Sequence, residues 1–290
     1  MSILIITKVM KINSISPDKH EFLQRVSTIT KYPKRLYFIG KLPEHTIQSV
    51  AIIGSRKPTA YGKEVTFELA YRLAKAGVVI VSGLAYGIDA IAHRAALKAG
   101  GTTVAVLAHG LDHIYPRAHQ QLANEIIENG GALISEYPEG VQAKPYQFLA
   151  RNRIISSLVD AVIVTEAGAR SGTLATVTYA LEQGRDVYAV PGNITSVLSI
   201  GPNRLIQQGA IPLLSAADII GEDEAHLQQD TQHTPNESII ISLLQNGVHD
   251  NDELQQQSSL ATDVYLYTMT LLELSGTITR HGTNWQLKHT

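Results

Sequence analysis

The sequence predicts an α/β protein in which a doubly wound parallel sheet is followed by a small second domain, and three observations carry that prediction. Six short β-rich runs (VAIIG, VVIVSG, TVAVLAHG, GALISE, DAVIVTEAG and DVYAVPG) recur between Val50 and Gly192. The five intervals between them can each hold a helix, and strands alternating with helices imply parallel strands joined by crossovers. Nearly every run ends in a glycine-containing loop, so these loops collect on one sheet edge, where open α/β sheets bind ligands.

Residues 1–45 read as an N-terminal arm strapped onto the main domain, with Pro17, Pro33 and Pro43 punctuating short apolar pieces such as LYFIG. The main domain spans 46–220. Its first strand, Val50–Ile53, is short and wholly apolar, as a strand buried on both faces must be. Gly54-Ser55-Arg56 follows where the strand hands over to a helix. Free N–H groups and the positive dipole end at such a junction favour a phosphate, and Arg56 adds a planar, permanently charged fork. The next segment, EVTFELAYRLAKAG, has helical apolar spacing and Gly77 as its stop. The next glycine after Gly54 is Gly62 and no G-K-[ST] follows, so neither the dinucleotide fingerprint nor a Walker A loop is present.

Beyond Ile220, residues 221–236 hold four acids and no base and read as a solvated linker. Residues 237–290 divide into SIIISLLQNG, NDELQQQSS, TDVYLYTMTLLELSG and the hairpin-like TITRHGTNWQL. Three helices and a hairpin are the parts of a winged helix. Reading duplex DNA with its third helix would need bases, and there are none between Ser238 and Thr279. This winged-helix-like domain is therefore expected to pack or to bind a partner.

Composition narrows the chemistry. The absence of cysteine excludes disulfides, thiolate zinc sites and a cysteine nucleophile. The apolar start is interrupted by Lys8 and lacks a cleavage pattern, and no stretch approaches the roughly 20 apolar residues of a membrane span. A cytoplasmic protein without membrane contact is expected. The net charge of −2 hides an asymmetry: residues 1–220 hold 22 Lys/Arg against 16 Asp/Glu. A polyanion should therefore bind the large domain.

Four loops carry the candidate site. The first is Gly54-Ser55-Arg56. The second, SGLAYGIDAIAH, places Ser82 and Gly83 at a strand end and enters a helix near Gly87. The third, HGLDHIYPRAH, brings Arg117 to a helix start. The fourth, EAGARSGTLAT, offers Ser171, Gly172 and Thr173 at a helix N-terminus. Side by side, such loops suggest a track for successive phosphates. RNRII adds Arg151, Asn152 and Arg153 where a buried helix should begin, with one arginine expected to order the loops and the other to face solvent. Catalytic constellations are poor: Asp89 and His93 stand four apart on a helix, and His109, Asp112 and His113 cluster without a further ligand. Glu166 follows a strand and could serve as a base, but has no evident partner. No catalytic residue, metal or cofactor is assigned.

In this order the loops, together with SEYPEG, GRDVYAVPGNI and GPNRLIQQGA, resemble the DNA-processing protein A family (DprA, also called Smf) from about Val50 to Ala210. The resemblance implies a Rossmann-like domain that binds single-stranded DNA, forms homodimers, protects incoming strands and helps load the RecA recombinase during natural transformation. It implies no enzyme activity, and it implies strand contact for Arg56 and Arg117. This sequence departs from the family pattern at Tyr86, where arginine is usual; the ring there offers a surface for base stacking. It departs also at Leu149-Ala150 and Ser156-Ser157, and the extra N-terminal helical domain of many members does not fit within the 49 residues before Val50. Two alternatives are a phosphoribohydrolase-type nucleotide enzyme and a small-nucleotide sensor. The first expects a glutamate shortly after Gly172-Thr173, where Leu174-Ala175-Thr176-Val177 stand instead.

Overall fold

In the computed structural model, which describes residues 11–44, 47–221, 234–282 and 284–287, the chain forms two compact units, Met1–Glu222 and Asp223–Thr290. The first is built on a nine-stranded sheet. Along the chain it comprises β1 (Asn13–Ile15), α1 (Glu21–Gln24), β2 (Leu36–Gly40), β3 (Ser49–Ile53), α2 (Ala60–Lys75), β4 (Val79–Ser82), α3 (Ile88–Lys98), β5 (Thr103–Leu107) and α4 (Gln120–Glu128). It continues with β6 (Ala132–Ser135), α5 (Pro145–Ser157), β7 (Ala161–Val164), α6 (Thr173–Glu182), β8 (Asp186–Ala189), α7 (Ile200–Gln207), β9 (Ile211–Pro212) and α8 (Ala217–Ile220).

The six apolar runs are β3 to β8, all parallel to their neighbours among themselves, with the sheet order β1-β2-β6-β5-β4-β3-β7-β8-β9. Strand β3 is the middle one of the seven parallel strands β6-β5-β4-β3-β7-β8-β9, pairing Ala51 with Val81 on one side and Val162 on the other. The order of winding reverses between β3 and β7. That reversal opens a crevice beyond the strand ends, because the loops after the two strands depart to opposite faces.

Both faces of β3 are covered, which is why its sequence shows no alternation. Val50 and Ile52 pack under α2 and α3 with Leu69, Leu73 and Ala92, while Ala51 and Ile53 face the other layer with Ile154, Ile155 and Val177 from α5 and α6. Helix α2 stops at Gly77, whose φ of +85° suits a residue without a Cβ. The segment read as an arm strapped onto the main domain joins its sheet: β1 and β2 extend it antiparallel from β6, with Phe38 opposite Ile134. Phe22, Leu23, Val26 and Leu36 are buried in the core of this unit.

The acidic stretch expected as a linker falls largely outside the described residues. In the second unit α9 (Pro235–Gln245) opens with a reciprocal cap: Thr234 Oγ1 accepts from the Glu237 N–H (3.3 Å) and the Glu237 carboxylate from the Thr234 N–H (2.7 Å). Then come α10 (Asn251–Ser258), α11 (Thr262–Leu274) and the antiparallel pair β10 (Ile278–His281) and β11 (Asn284–Leu287). They enclose a core of Ile240, Leu244, Leu254, Tyr265, Met269, Leu272, Ile278 and Trp285. Asn251 ties the unit together, accepting from the Tyr265 hydroxyl and the Trp285 indole N–H, both at 3.1 Å.

Candidate nucleic-acid interface

The first loop is braced by Glu166, which stands two residues beyond β7. The Ser55 N–H donates to the Glu166 carbonyl (2.7 Å), and the buried Glu166 carboxylate accepts from the Thr59 N–H (2.9 Å) and the Thr59 hydroxyl (2.5 Å). Thr59 is the cap of α2, accepting from the Gly62 N–H. A Cβ on Gly62 would lie 2.2 Å from the carboxylate, so glycine is what lets the acid approach. The helix start expected to hold a phosphate is therefore already supplied with a negative charge by the protein. Glu166 is a capping group committed to Thr59, and the sequence reading of it as a base without a partner is corrected by that contact.

The second loop is ordered by Asp89 and Arg151. The buried Asp89 carboxylate accepts from the N–H groups of Gly83 (3.1 Å) and Ala85 (3.3 Å), anchoring its own loop. The Arg151 guanidinium, also buried, donates to the carbonyls of Gly83 (2.9 Å) and Val106. A Cβ on Gly83 would strike Arg151 at 2.5 Å and Asp89 at 2.8 Å. Gly83 thus makes room for two charged side chains. The Ser82 hydroxyl is buried and donates to the Ile52 carbonyl (2.7 Å). Both residues serve the scaffold of the loop.

RNRII lies inside α5, which begins earlier than expected, at Pro145. Arg151 is the arginine that orders the loops. Arg153, expected to face solvent if Arg151 did not, is instead paired with Glu136 at 2.6 Å, with the two side chains only 14% and 13% exposed. Asn152 accepts from Arg151 Nε (3.3 Å) and borders the crevice.

A pocket of about 230 Å³ opens at the β3/β7 switch point, bounded by Gly54, Arg56, Arg151, Asn152, Ser171 and Thr173. Its fourth-loop wall is the start of α6. Gly172 is the N-cap, no acidic residue stands in the first turn, and the Ser171 and Thr173 hydroxyls are wired inward: Ser171 Oγ donates to Thr173 Oγ1 (2.9 Å), and Thr173 Oγ1 to the Gly54 carbonyl (3.2 Å). The positive end of α6 faces the pocket without a protein carboxylate to offset it, unlike that of α2. The exposed Arg56 guanidinium lies 5.7 Å from the centre of the Phe148 ring, which in turn meets Tyr115 of the third loop at 5.7 Å. This aromatic wall has no local signature in the sequence, where Tyr115 and Phe148 stand far apart. Arg117 is exposed at the helical turn Arg117–His119 and does not border the pocket.

Burial lowers the Arg151 pKa to about 10; Asp89 opposes the shift and Arg56 adds to it. Burial raises the Asp89 pKa, and Arg151 with the loop N–H groups opposes that rise. The two charges offset one another, which leaves Arg56 and the α6 N-terminus as the positive features open to a ligand. His109 and His113 stack at 4.6 Å between ring centres, and among the described residues no group of three or more His, Cys, Asp or Glu is placed to hold a metal.

The family profile described as DNA recombination-mediator protein A matches residues 13–223. Protein Smf of Escherichia coli K12 is 45% identical over 208 residues, which cover 71% of this chain and 55% of that protein, so the chain spans little more than half of the relative's length. Among solved structures, DNA processing protein A of Streptococcus pneumoniae superposes with a TM-score of 0.68 at 42% identity, covering 73% of this chain and 74% of that one. DNA processing protein A of Helicobacter pylori, solved for its single-stranded DNA binding mode, gives 0.64 at 31% identity over 76% of this chain and 97% of that one.

Proposed function

Because this chain belongs to the DNA recombination-mediator protein A family, we propose that it binds single-stranded DNA across the β3/β7 crevice and acts in natural transformation and homologous recombination without catalysing a reaction. One observation carries the reading. Of the two helix starts at the switch point, that of α2 is filled by Glu166, while that of α6 opens into a pocket beside the exposed Arg56. A phosphate takes the second place and is held by the positive end of α6 and the Arg56 guanidinium. Such contacts carry little base identity. The description of the H. pylori relative as a single-strand binder supports this, as does the commitment of the best-placed carboxylate, Glu166, to Thr59. The proposal extends to a cytoplasmic homodimer that protects the strand and helps load RecA, with Arg117 following the strand outside the pocket and the C-terminal unit binding a partner.

The test is fluorescence anisotropy of a labelled oligo-dT against a duplex of equal length, for wild type and Arg56→Ala at several salt concentrations. Wild type should prefer the single strand, with log affinity falling against log salt by about 0.7 per phosphate neutralised. Arg56→Ala should weaken binding and lower that slope by about one contact. Affinity flat with salt, or equal for the two DNA forms, overturns the reading.

A further inference from the structure

We propose that Tyr86 forms a nucleobase subsite at the rim of the pocket, stacking one base of the bound strand on its exposed ring face. The inference rests on the single-strand reading and adds a contact to the bases, where that reading supplies contacts to phosphates. Tyr86 is 49% exposed, and its hydroxyl makes no hydrogen bond among the described residues. A free surface tyrosine would explain that much, but this ring is not free. It meets the His119 ring edge-on at 5.0 Å between centres and 64° between planes. His119 is itself buried, with Nδ1 2.8 Å from the Leu84 carbonyl. The Tyr86 ring is therefore fixed against His119, and its solvent-facing part is held in place.

The loop that presents the ring is also over-determined. Leu84 is fully buried in a left-handed conformation (φ +57°), which a branched side chain adopts only when its surroundings impose it. On the next residue, Ala85, the N–H is held by the Asp89 carboxylate. On the other side Gly87 (φ +76°) packs so closely on the first loop that a Cβ would lie 2.3 Å from the Ser55 carbonyl and 2.8 Å from Arg56 Cα. Tyr86 thus stands between Ala85, which borders the pocket, and a glycine seated on the backbone of Arg56. A strand leaving the pocket past Arg56 meets this ring next. The subsite is one for a base because the ring offers a π-face, whereas a hydroxyl contact to a phosphate would be lost in Tyr86→Phe, which separates the two. Stacking on such a ring accepts any base, since every base has a π-face. Holding the ring before the ligand arrives reduces the ordering entropy that binding must offset.

The experiment compares wild type, Tyr86→Ala and Tyr86→Phe for binding to a labelled oligo-dT and to an abasic oligonucleotide of equal length, each across a salt series, with folding of each variant checked by circular dichroism. The expected result is that Tyr86→Ala weakens oligo-dT binding by about tenfold with an unchanged salt slope, that Tyr86→Phe binds like wild type, and that all three bind the abasic strand equally. The subsite is overturned if Tyr86→Ala binds oligo-dT within twofold of wild type, or if it loses affinity equally for the abasic strand. Failure of the wild-type protein to bind either strand removes the single-strand reading itself and the subsite with it, an outcome distinct from normal strand binding that ignores Tyr86.

Discussion

Replacing Arg151 by methionine should cost the Met1–Glu222 unit about 3–5 kcal/mol, the range for breaking a buried charge pair by removing one partner. The guanidinium donates to two carbonyls, those of Gly83 and Val106, at the ends of neighbouring strands, and it faces the buried Asp89 carboxylate across Gly83. Methionine preserves the apolar stem but leaves both carbonyls without this donor, each worth about 1–3 kcal/mol when buried and unmet, and leaves the carboxylate unopposed. Asp89 retains the Gly83 and Ala85 N–H groups and can take up a proton, which keeps the total below the sum of these losses. The measurement is urea denaturation followed by far-ultraviolet circular dichroism, at neutral pH and again near pH 5. The loss should shrink at the lower pH, where protonating Asp89 relieves the unpaired charge. Adding Asp89→Asn to Arg151→Met should cost less than the two single changes summed, by about 1–2 kcal/mol. A loss under about 1 kcal/mol with strongly weakened oligonucleotide binding would refute the argument and make Arg151 a ligand contact instead of a brace.

Two further outcomes follow from buried groups, alongside the Arg56 and Tyr86 experiments. Glu166→Gln removes the charge at the α2 start while keeping one acceptor for Thr59, and should cost about 1–2 kcal/mol in thermal or urea unfolding with oligo-dT affinity within twofold of wild type; an unchanged stability with lost binding would contradict its role as a cap. His93 is fully buried, with Nδ1 2.6 Å from Thr103 Oγ1, whose hydroxyl donates to the Ile80 carbonyl, so Nδ1 carries the proton and Nε2 has no partner. Burial depresses its pKa to about 3 from an ordinary 6.5. The unfolded chain therefore binds a proton that the folded one refuses between those values, and stability held above pH 6.5 is lost as pH falls towards 3, by about 2 kcal/mol at pH 5. His93→Gln should flatten the dependence of melting temperature on pH between 7 and 5, and equal slopes for variant and wild type would sink the argument.

Much of the fold was legible because its signals are local. The six apolar runs and the intervals between them could be read as alternating strands and helices, Gly77 as a helix stop, and the four glycine-containing loops as neighbours on one edge, since each depends on residues close in sequence. LYFIG was less legible: it reads as a piece of an arm and is strand β2, because a strand that joins antiparallel between β1 and β6 leaves no mark of those distant partners in its own few residues.

The sequence by itself determined the sheet, the edge at which its loops gather and the small cationic and hydroxyl residues available there. Which of those residues remain open to a ligand was decided only by tertiary structure. The carboxylate that fills the α2 start comes from 107 residues along the chain, and the carbonyls that absorb Arg151 stand 68 and 45 residues away. Arg153 is taken by Glu136, Ser82 by a neighbouring strand, and Phe148 is brought beneath Arg56. A charged or hydroxyl group reads the same in sequence whether it will meet a ligand or a distant part of its own chain. The difference is made by the partner that folding places within hydrogen-bond reach, where leaving a buried charge or donor unmet costs more than the bond itself contributes.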